Sequence, residues 1–225
     1  MSSSDKPWAF IPARGGSKRL PRKALAELGG KPLIHWTLDA AVDAGIFAEI
    51  VISSDDREIL ASCPQATMLH RRSDSLAQDD VTLDQVIAAF RRDHPIRDPL
   101  YLLLPTVPLR RASTILRAWW MFQDRTPSGV GGLLSLVPFE HPPEWALDVI
   151  GEEIRFRDAA GFMQARNSLR QAWRHDGGHY IITDIPGIFM PFFPPPEEVL
   201  DINTPDDLEF ARWKLAQRAV NAVAI

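Results

Sequence analysis

Short apolar runs alternate with amphipathic stretches along most of this chain. Trp8 to Pro12 is one continuous apolar run and predicts a buried strand. Lys31 to Ala44 predicts a helix, because Leu33, Ile34, Trp36, Leu38 and Ala41 recur near helical spacing and Gly45 stands where such a helix stops. Glu49 to Ser53 is a β-branched run that ends in Ser-Ser-Asp-Asp. Val81 to Arg92 reads as helix, Leu100 to Leu104 as a strand halted by Pro105 and Pro108, Ala112 to Gln123 as helix, and Val130 to Val137 as strand. Tyr180 to Ile185 is a later strand. Thr204-Pro205-Asp206-Asp207 is a helix start: a capping threonine, proline in the first helical position and acids in the first turn, for a helix running to about Val220. Strands alternating with helices predict βαβ units and a mostly parallel sheet covered on both faces.

The rhythm breaks between Pro138 and about Arg174. His141-Pro142-Pro143 leads into a hairpin-like Trp145 to Arg157, with Gly151-Glu152 as its turn. This predicts one domain over residues 1–225 with an arm inserted at about 138–174. Trp145 and Phe156 on the arm either anchor an interface or pack on the main domain.

Composition narrows the choice without deciding it. With 225 residues, 45% of them apolar and 24% charged, the chain suits a folded domain rather than a disordered one. The net charge is −4 and no Lys/Arg cluster dominates, which argues against a general nucleic-acid binder and leaves room for a local basic loop. Cys63 is the lone cysteine, has no partner for an internal disulfide and reads as a small buried apolar residue. Met1 to Lys6 is polar with no secretory pattern after it, and no apolar run approaches the ~20 residues needed to cross a bilayer. A cytoplasmic protein with no membrane partner is the expectation.

The chemistry concentrates after the first strand, in Pro12-Ala13-Arg14-Gly15-Gly16-Ser17-Lys18-Arg19-Leu20-Pro21-Arg22-Lys23. In open α/β sheets ligands bind beyond the carboxyl ends of strands. Gly15 and Gly16 are expected to take positive φ, let backbone approach a ligand and form an anion-binding nest. Arg14, Lys18, Arg19, Arg22 and Lys23 add positive charge in the same loop. The spacing is neither that of the P-loop nor that of the dinucleotide fold. Strand, Pro-Ala-Arg-Gly-Gly-Ser and the following Pro-x-Lys together point to phosphate binding.

This segment resembles the signature of the acylneuraminate cytidylyltransferases, the CMP-sialic acid synthetases with relatives for pseudaminic and legionaminic acids and, more distantly, Kdo. The resemblance covers nearly the whole chain. It implies a Rossmann-like nucleotidyltransferase three-layer sandwich with a small dimerisation arm, a homodimer, and transfer of CMP from CTP to an acidic nine-carbon keto sugar. By that likeness Arg14 and Lys23 contact the phosphates, and Ala13, Gly15, Gly16, Ser17 and Lys18 line the nucleotide site. The family often carries Asn after the second lysine; this chain has Ala24.

Later segments agree. Ile52-Ser53-Ser54-Asp55-Asp56 resembles the family's Ser-Thr-Asp-Asp segment, although Ser-Asp-Asp is also a helix cap, which is the reading favoured here. Arg72-Ser73-Asp74-Ser75-Leu76-Ala77-Gln78-Asp79 resembles its Arg-x-x-x-Leu-Ala-x-Asp, with Arg72 expected at the base or phosphates and Thr82 at the cytosine. Leu102 to Arg110 resembles Leu-Leu-Gln-Pro-Thr-Ser-Pro-Leu-Arg, with Leu104 in place of a sugar-site glutamine; leucine offers no hydrogen bond, so the acceptor need not be N-acetylneuraminic acid. Arg110 is either an anion contact or structural. Arg166 occupies the place of the arm's sugar or phosphate arginine, and Asp176-Gly177-Gly178-His179-Tyr180 resembles a sugar-site loop, giving Gly178 and His179 as candidate sugar contacts, although a lone histidine beside a strand is also commonly structural.

Asp201-Ile202-Asn203-Thr204 resembles the Asp-Ile-Asp-Thr that holds Mg²⁺ in the family, which makes Asp201 and Asn203 the expected metal ligands, the second a neutral one. Asp206 and Asp207 read as first-turn helix acids. Three readings stand: a CMP-nonulosonate synthetase, a related nucleotidyltransferase with another acceptor or base, and an inactive nucleotide-binding homologue.

Overall fold

Neighbouring residues of the first strand belong to different cores. Ala9 and Ile11 pack in one apolar cluster with Ile34, Leu38 and Trp119, while Phe10 packs in another with Val86, Ile87 and Phe90. That is the period-2 alternation of a strand buried on both faces. The computed structural model describes residues 6–94, 96, 99–125, 130–151, 153–184 and 187–223. In chain order they form β1 (Trp8–Pro12), β2 (Glu27–Leu28), β3 (Lys31–Pro32), α1 (Leu33–Ala44), β4 (Glu49–Ser54), α2 (Arg57–Ala61), β5 (Met68–Arg71), α3 (Leu83–Asp93) and β6 (Leu100–Leu102). Then come α4 (Ala112–Arg125), β7 (Val130–Pro138), β8 (Leu147–Ile150), β9 (Glu153–Phe156), α5 (Ala159–Phe162), β10 (Trp173–Ile182), β11 (Ile188–Phe192) and α6 (Pro205–Val223). Among these residues no helix is long and apolar enough to cross a membrane.

The main sheet has seven strands in the order β11-β7-β10-β6-β1-β4-β5. β1 runs parallel to β4 and β6, β4 to β5, and β7 to β11, while β10 is antiparallel to β6. Residues of α1 and α4 cover one face and those of α3 the other, which makes the three-layer α/β architecture expected from the alternating pattern. A third cluster joins Leu20, Leu28 and Leu33 to Ile202, Leu208 and Ala211, tying the basic loop to the start of α6.

Local differences from the sequence reading have local causes. Lys31 and Pro32 pair with Glu27 and Leu28 across a Gly29-Gly30 turn, so α1 begins at Leu33; Gly45 ends it at φ 67°. The edge strand β5, Met-Leu-His-Arg, lacks a continuous apolar run because an edge strand is only partly covered, and Pro191 is tolerated in β11 because that strand is the other edge. β10 begins at Trp173 instead of Tyr180 and carries the Asp-Gly-Gly-His segment inside a strand, not a loop. Its expected end at Ile185 and the turn residue Glu152 lie outside the described residues.

The chain divides into two compact units, one running to Ser135 and resuming at Asp176, the other Leu136–His175. In the second, β8 and β9 pair antiparallel from Leu147↔Phe156 to Ile150↔Glu153, with Gly151 at φ 64°. Phe156 packs on Phe162, ring centroids 4.7 Å apart, and Asp158 caps α5 through Gly161 N. Val149, Ile154, Phe156 and Met163 are exposed on this unit.

Candidate active site

Three segments meet beyond the carboxyl ends of β1 and β6. They are the basic loop, the Leu104-Pro105-Thr106 turn, and the Asp201-Ile202-Asn203 lead into α6. Backbone bonds fix their heights: Ala13 N donates to Ser53 O, Leu103 N to Phe10 O, and Ile202 N to Thr106 O. Between them lies a cleft of about 370 Å³ lined by Ala13, Arg14, Gly16, Ser17, Lys18, Arg19, Lys23, Ala24 and Thr106, among others.

The glycines of this loop do not act as expected. Neither Gly15 nor Gly16 has positive φ, so no left-handed nest forms there. Gly15 is required for closeness instead: a Cβ on it would stand 2.8 Å from Asp56 Oδ2. Its N–H donates to Asp55 Oδ1 at 3.1 Å. Gly16 has open space around it. The left-handed residue is Arg22, at φ 52° and ψ 36°. Its side chain turns outward to Glu58 at 2.5 Å, and the next residue, Lys23, turns into the cleft.

Lys23 Nζ donates to Ile202 O and to Asn203 Oδ1, both at 3.0 Å. Burial lowers its pKa from the ordinary 10.5, the nearby Arg19 and Arg14 add to that, and Asp201 and Asp207 oppose it. Arg19 donates to the same Asn203 oxygen at 3.1 Å. On the other rim Asp79 bridges Arg14 at 2.8 Å and Lys18 at 2.5 Å, and those two cations hold its carboxyl below the ordinary range. All four cations thus surround one opening in a form that an anionic ligand can engage.

Beside the cleft is a second hollow of about 280 Å³, sharing Pro12 and Arg14 with it and lined by Arg72, Val81, Leu83 and Leu104. Arg72 is buried, its Nε has no partner, and its contact to Asp55 is long at 3.5 Å. Burial lowers its pKa, with Asp55 acting the other way. Asp55 therefore joins Gly15 to Arg72, while its neighbour Asp56 caps α2 by accepting from Glu58 N and Ile59 N. The cap is legible in Ser-Asp-Asp; the tie made by Asp55 depends on a residue forty positions earlier and has no local signal.

Several expected contacts are corrected. Thr82 is the N-cap of α3, its hydroxyl accepting from Gln85 N in a capping box. His179 is only 2% exposed, its Nδ1 bonded to Tyr101 OH at 2.7 Å and its N–H to Ser135 Oγ. Burial drives its pKa well below 6.5. Its place in β10 turns the ring to the core with Phe192, so it is no sugar contact and no solvent-facing base. Gly178 is likewise buried in β10, its N–H bonded to Asp176. The glycine that faces a candidate wall is Gly177, at φ 77°, where a Cβ would stand 3.0 Å from Leu104 Cδ1. Arg110 resolves to its structural alternative: it is buried, with its pKa lowered to about 10 by burial, and donates to Thr37 Oγ1 and Leu104 O. Arg166 lies in the second unit, where it donates to Glu140 O and lines a hollow with His141 and Arg170.

The expected metal ligands separate. Asp201 is exposed, and only its Oδ2 receives Asn203 Nδ2, at 2.7 Å, which leaves Oδ1 for a cation. One carboxylate plus substrate phosphates is a common Mg²⁺ environment. Asn203 does not fit: its only acceptor oxygen already serves Lys23 and Arg19. Among the described residues no three His, Cys, Asp or Glu side chains converge as a metal cluster.

The comparisons with known proteins bear on this geometry. The family model described as cytidylyltransferase matches residues 8–140. The pseudaminic acid cytidylyltransferase of Campylobacter jejuni (strain 81-176) is 31% identical over 219 residues, covering 90% of this chain and 93% of the relative. The CMP-N,N'-diacetyllegionaminic acid synthase of Legionella pneumophila is 36% identical over 147 residues, 63% of this chain and 62% of the relative. Among solved structures, CMP:2-keto-3-deoxy-manno-octonic acid synthetase complexed with CTP matches with a TM-score of 0.65 at 17% identity, over 95% of this chain and 100% of that one, a likeness of fold.

Proposed function

This chain belongs to the cytidylyltransferase family, and from that premise we propose that it joins CMP from CTP to an acidic nine-carbon keto sugar with release of pyrophosphate. The observation that carries this reading is the convergence of Arg14, Lys18, Arg19 and Lys23 on one cleft, with Asn203 linking Lys23 and Arg19 to Asp201. A triphosphate needs such a cradle, and the hollow walled by Val81, Leu83 and Leu104 next to it suits a base or a sugar. The similarity to pseudaminic and legionaminic acid enzymes supports a nonulosonic acid as acceptor.

In the reaction the sugar's anomeric hydroxyl attacks the α-phosphorus in line, its proton passes to water, and the bond from the α-phosphorus to the bridging oxygen of the departing pyrophosphate breaks. The protein's part is positioning and charge stabilisation. Arg14 and Lys23 hold the phosphates and balance the charge that grows on departing pyrophosphate, with Lys18 and Arg19 beside them. Ala13, Gly16 and Ser17 line the same opening. Asp201 would hold Mg²⁺, which when bound neutralises charge on phosphate oxygens. The exposed Val149, Ile154, Phe156 and Met163 of the inserted unit support its use as a dimerisation arm, and Arg166 on that unit would meet the sugar or the phosphates.

The test is pyrophosphate release with Mg²⁺, comparing CTP with ATP, GTP and UTP against a panel of keto-acid sugars. Release with CTP and a nonulosonic acid alone is expected. No release with any pair would overturn the reading. Release with CTP and an eight-carbon acid would support the second reading, a different acceptor, which the apolar Leu104 wall against Gly177 favours.

A further inference from the structure

Asn203 bridges two of the cleft's cations to a carboxylate, and both ends of its side-chain amide are engaged. Its Oδ1 accepts from Lys23 Nζ at 3.0 Å and Arg19 at 3.1 Å. Its Nδ2 donates to Asp201 Oδ2 at 2.7 Å. Its backbone N–H donates to Asp207 Oδ2 at 2.9 Å, inside the cap of α6. A carboxamide accepts at one end and donates at the other. That polarity is what this position demands, with two cations on one side and a carboxylate on the other.

An aspartate here would have no donor for Asp201. Its second oxygen would stand where Nδ2 now stands, within hydrogen-bond distance of another carboxylate. Two such groups are compatible only with a cation or a proton between them. Asparagine removes that need. Resting on the reading of this cleft as the triphosphate site, we infer that Asn203 is a positioning residue whose amide preassembles Lys23, Arg19 and Asp201, so that the cradle binds the nucleotide without first recruiting a divalent ion.

The inference also separates two anionic demands on the same cations. An amide oxygen holds Lys23 and Arg19 in place but leaves their charge unneutralised. A carboxylate in the same place would pair with them and compete with the phosphates. Substituting the charged isostere is therefore predicted to do more than break one contact: it transfers control of CTP binding to the metal.

The experiment measures CTP dissociation constants by calorimetry, in EDTA and in Mg²⁺, for the wild type, Asn203→Asp and Asn203→Ala. The wild type is expected to bind in EDTA within about tenfold of its Mg²⁺ value. Asn203→Asp is expected to weaken binding at least ~10-fold in EDTA and to recover most of that loss in Mg²⁺. Asn203→Ala, which removes the bridge and adds no charge, is expected to weaken binding in both. A merely structural role would lower both variants equally and leave the metal dependence unmoved; that result overturns the inference, as does a wild type that binds only with Mg²⁺. Thermal melts of the same samples establish that the variants are folded. Should the wild type bind CTP under neither condition, the nucleotide reading itself fails; should it bind while the variants match it, the inference alone fails.

Discussion

Gly15 shows how a single residue is chosen by what lies across from it. A methyl there meets the Asp56 side chain, with Oδ2 at 2.8 Å and Cβ at 3.0 Å, and Asp56 is not free to swing because it caps α2. Gly15→Ala should cost ~1–3 kcal/mol, the usual range for overpacking, as read from urea midpoints. Adding Asp56→Ser, which shortens the obstacle and keeps a capping oxygen, should recover part of the loss. Lys23 is chosen by its field. Burial, Arg19 and Arg14 hold its free pKa below 10.5, and an incoming triphosphate pushes it back up. CTP affinity should therefore be full below the lowered pKa and fall as pH rises through it toward 10.5. Binding in that window should take up a proton, which calorimetry in two buffers of different ionisation enthalpy detects. Lys23→Met should abolish the uptake and lower kcat/KM by ~10²–10³-fold, the range for losing one donor at a developing charge.

At the scale of elements, the start of α6 borders the site and β10 belongs to the core. The cap of α6 is reciprocal: Asp207 N donates to Thr204 Oγ1, and Asp207 Oδ2 accepts from Asn203 N and Thr204 N. Burial would raise the pKa of Asp207, but these bonds outweigh it and the net shift is downward from 3.8. Its contribution is thus present above 3.8 and lost as pH falls through the lowered value. Asp207→Asn should cost ~1 kcal/mol at pH 7, typical of a lost cap interaction, and the difference should vanish in chemical denaturation once pH falls below the lowered value. In β10, His179 is buried and neutral, with its pKa well below 6.5. Below pH 6.5 the unfolded chain takes up a proton that the folded chain refuses, so stability falls as pH drops through that window. His179→Gln should flatten this slope in melting temperatures taken from pH 7 to pH 5. His70, also lowered mainly by burial, adds a slope of the same sign.

For the whole molecule, the proposed dimer makes a mass prediction. The chain should sediment at twice its 25.3 kDa, and Val149→Lys with Ile154→Glu on the exposed hairpin should return it to the mass of one chain. The sequence by itself determined the layered α/β plan, because a strand covered on both faces must read as an unbroken apolar run and a covering helix as a 3.6-residue stripe; β1 and α1 show both. It also marked the basic loop as chemistry, since charge crowded after a buried strand has no packing use, while Asp201 was singled out only by the resemblance of Asp-Ile-Asn-Thr to the family's motif. Only the tertiary structure decided the parts those residues play. In the basic loop the left-handed residue is Arg22 and not a glycine, Thr82 serves a helix, and His179 serves the core. Asn203 holds cations where a metal ligand was expected. Thr82 has its partner Gln85 three residues on, but the others turn on partners distant in sequence, and hydrogen bonding and burial are set by neighbours in space, which composition and periodicity do not encode.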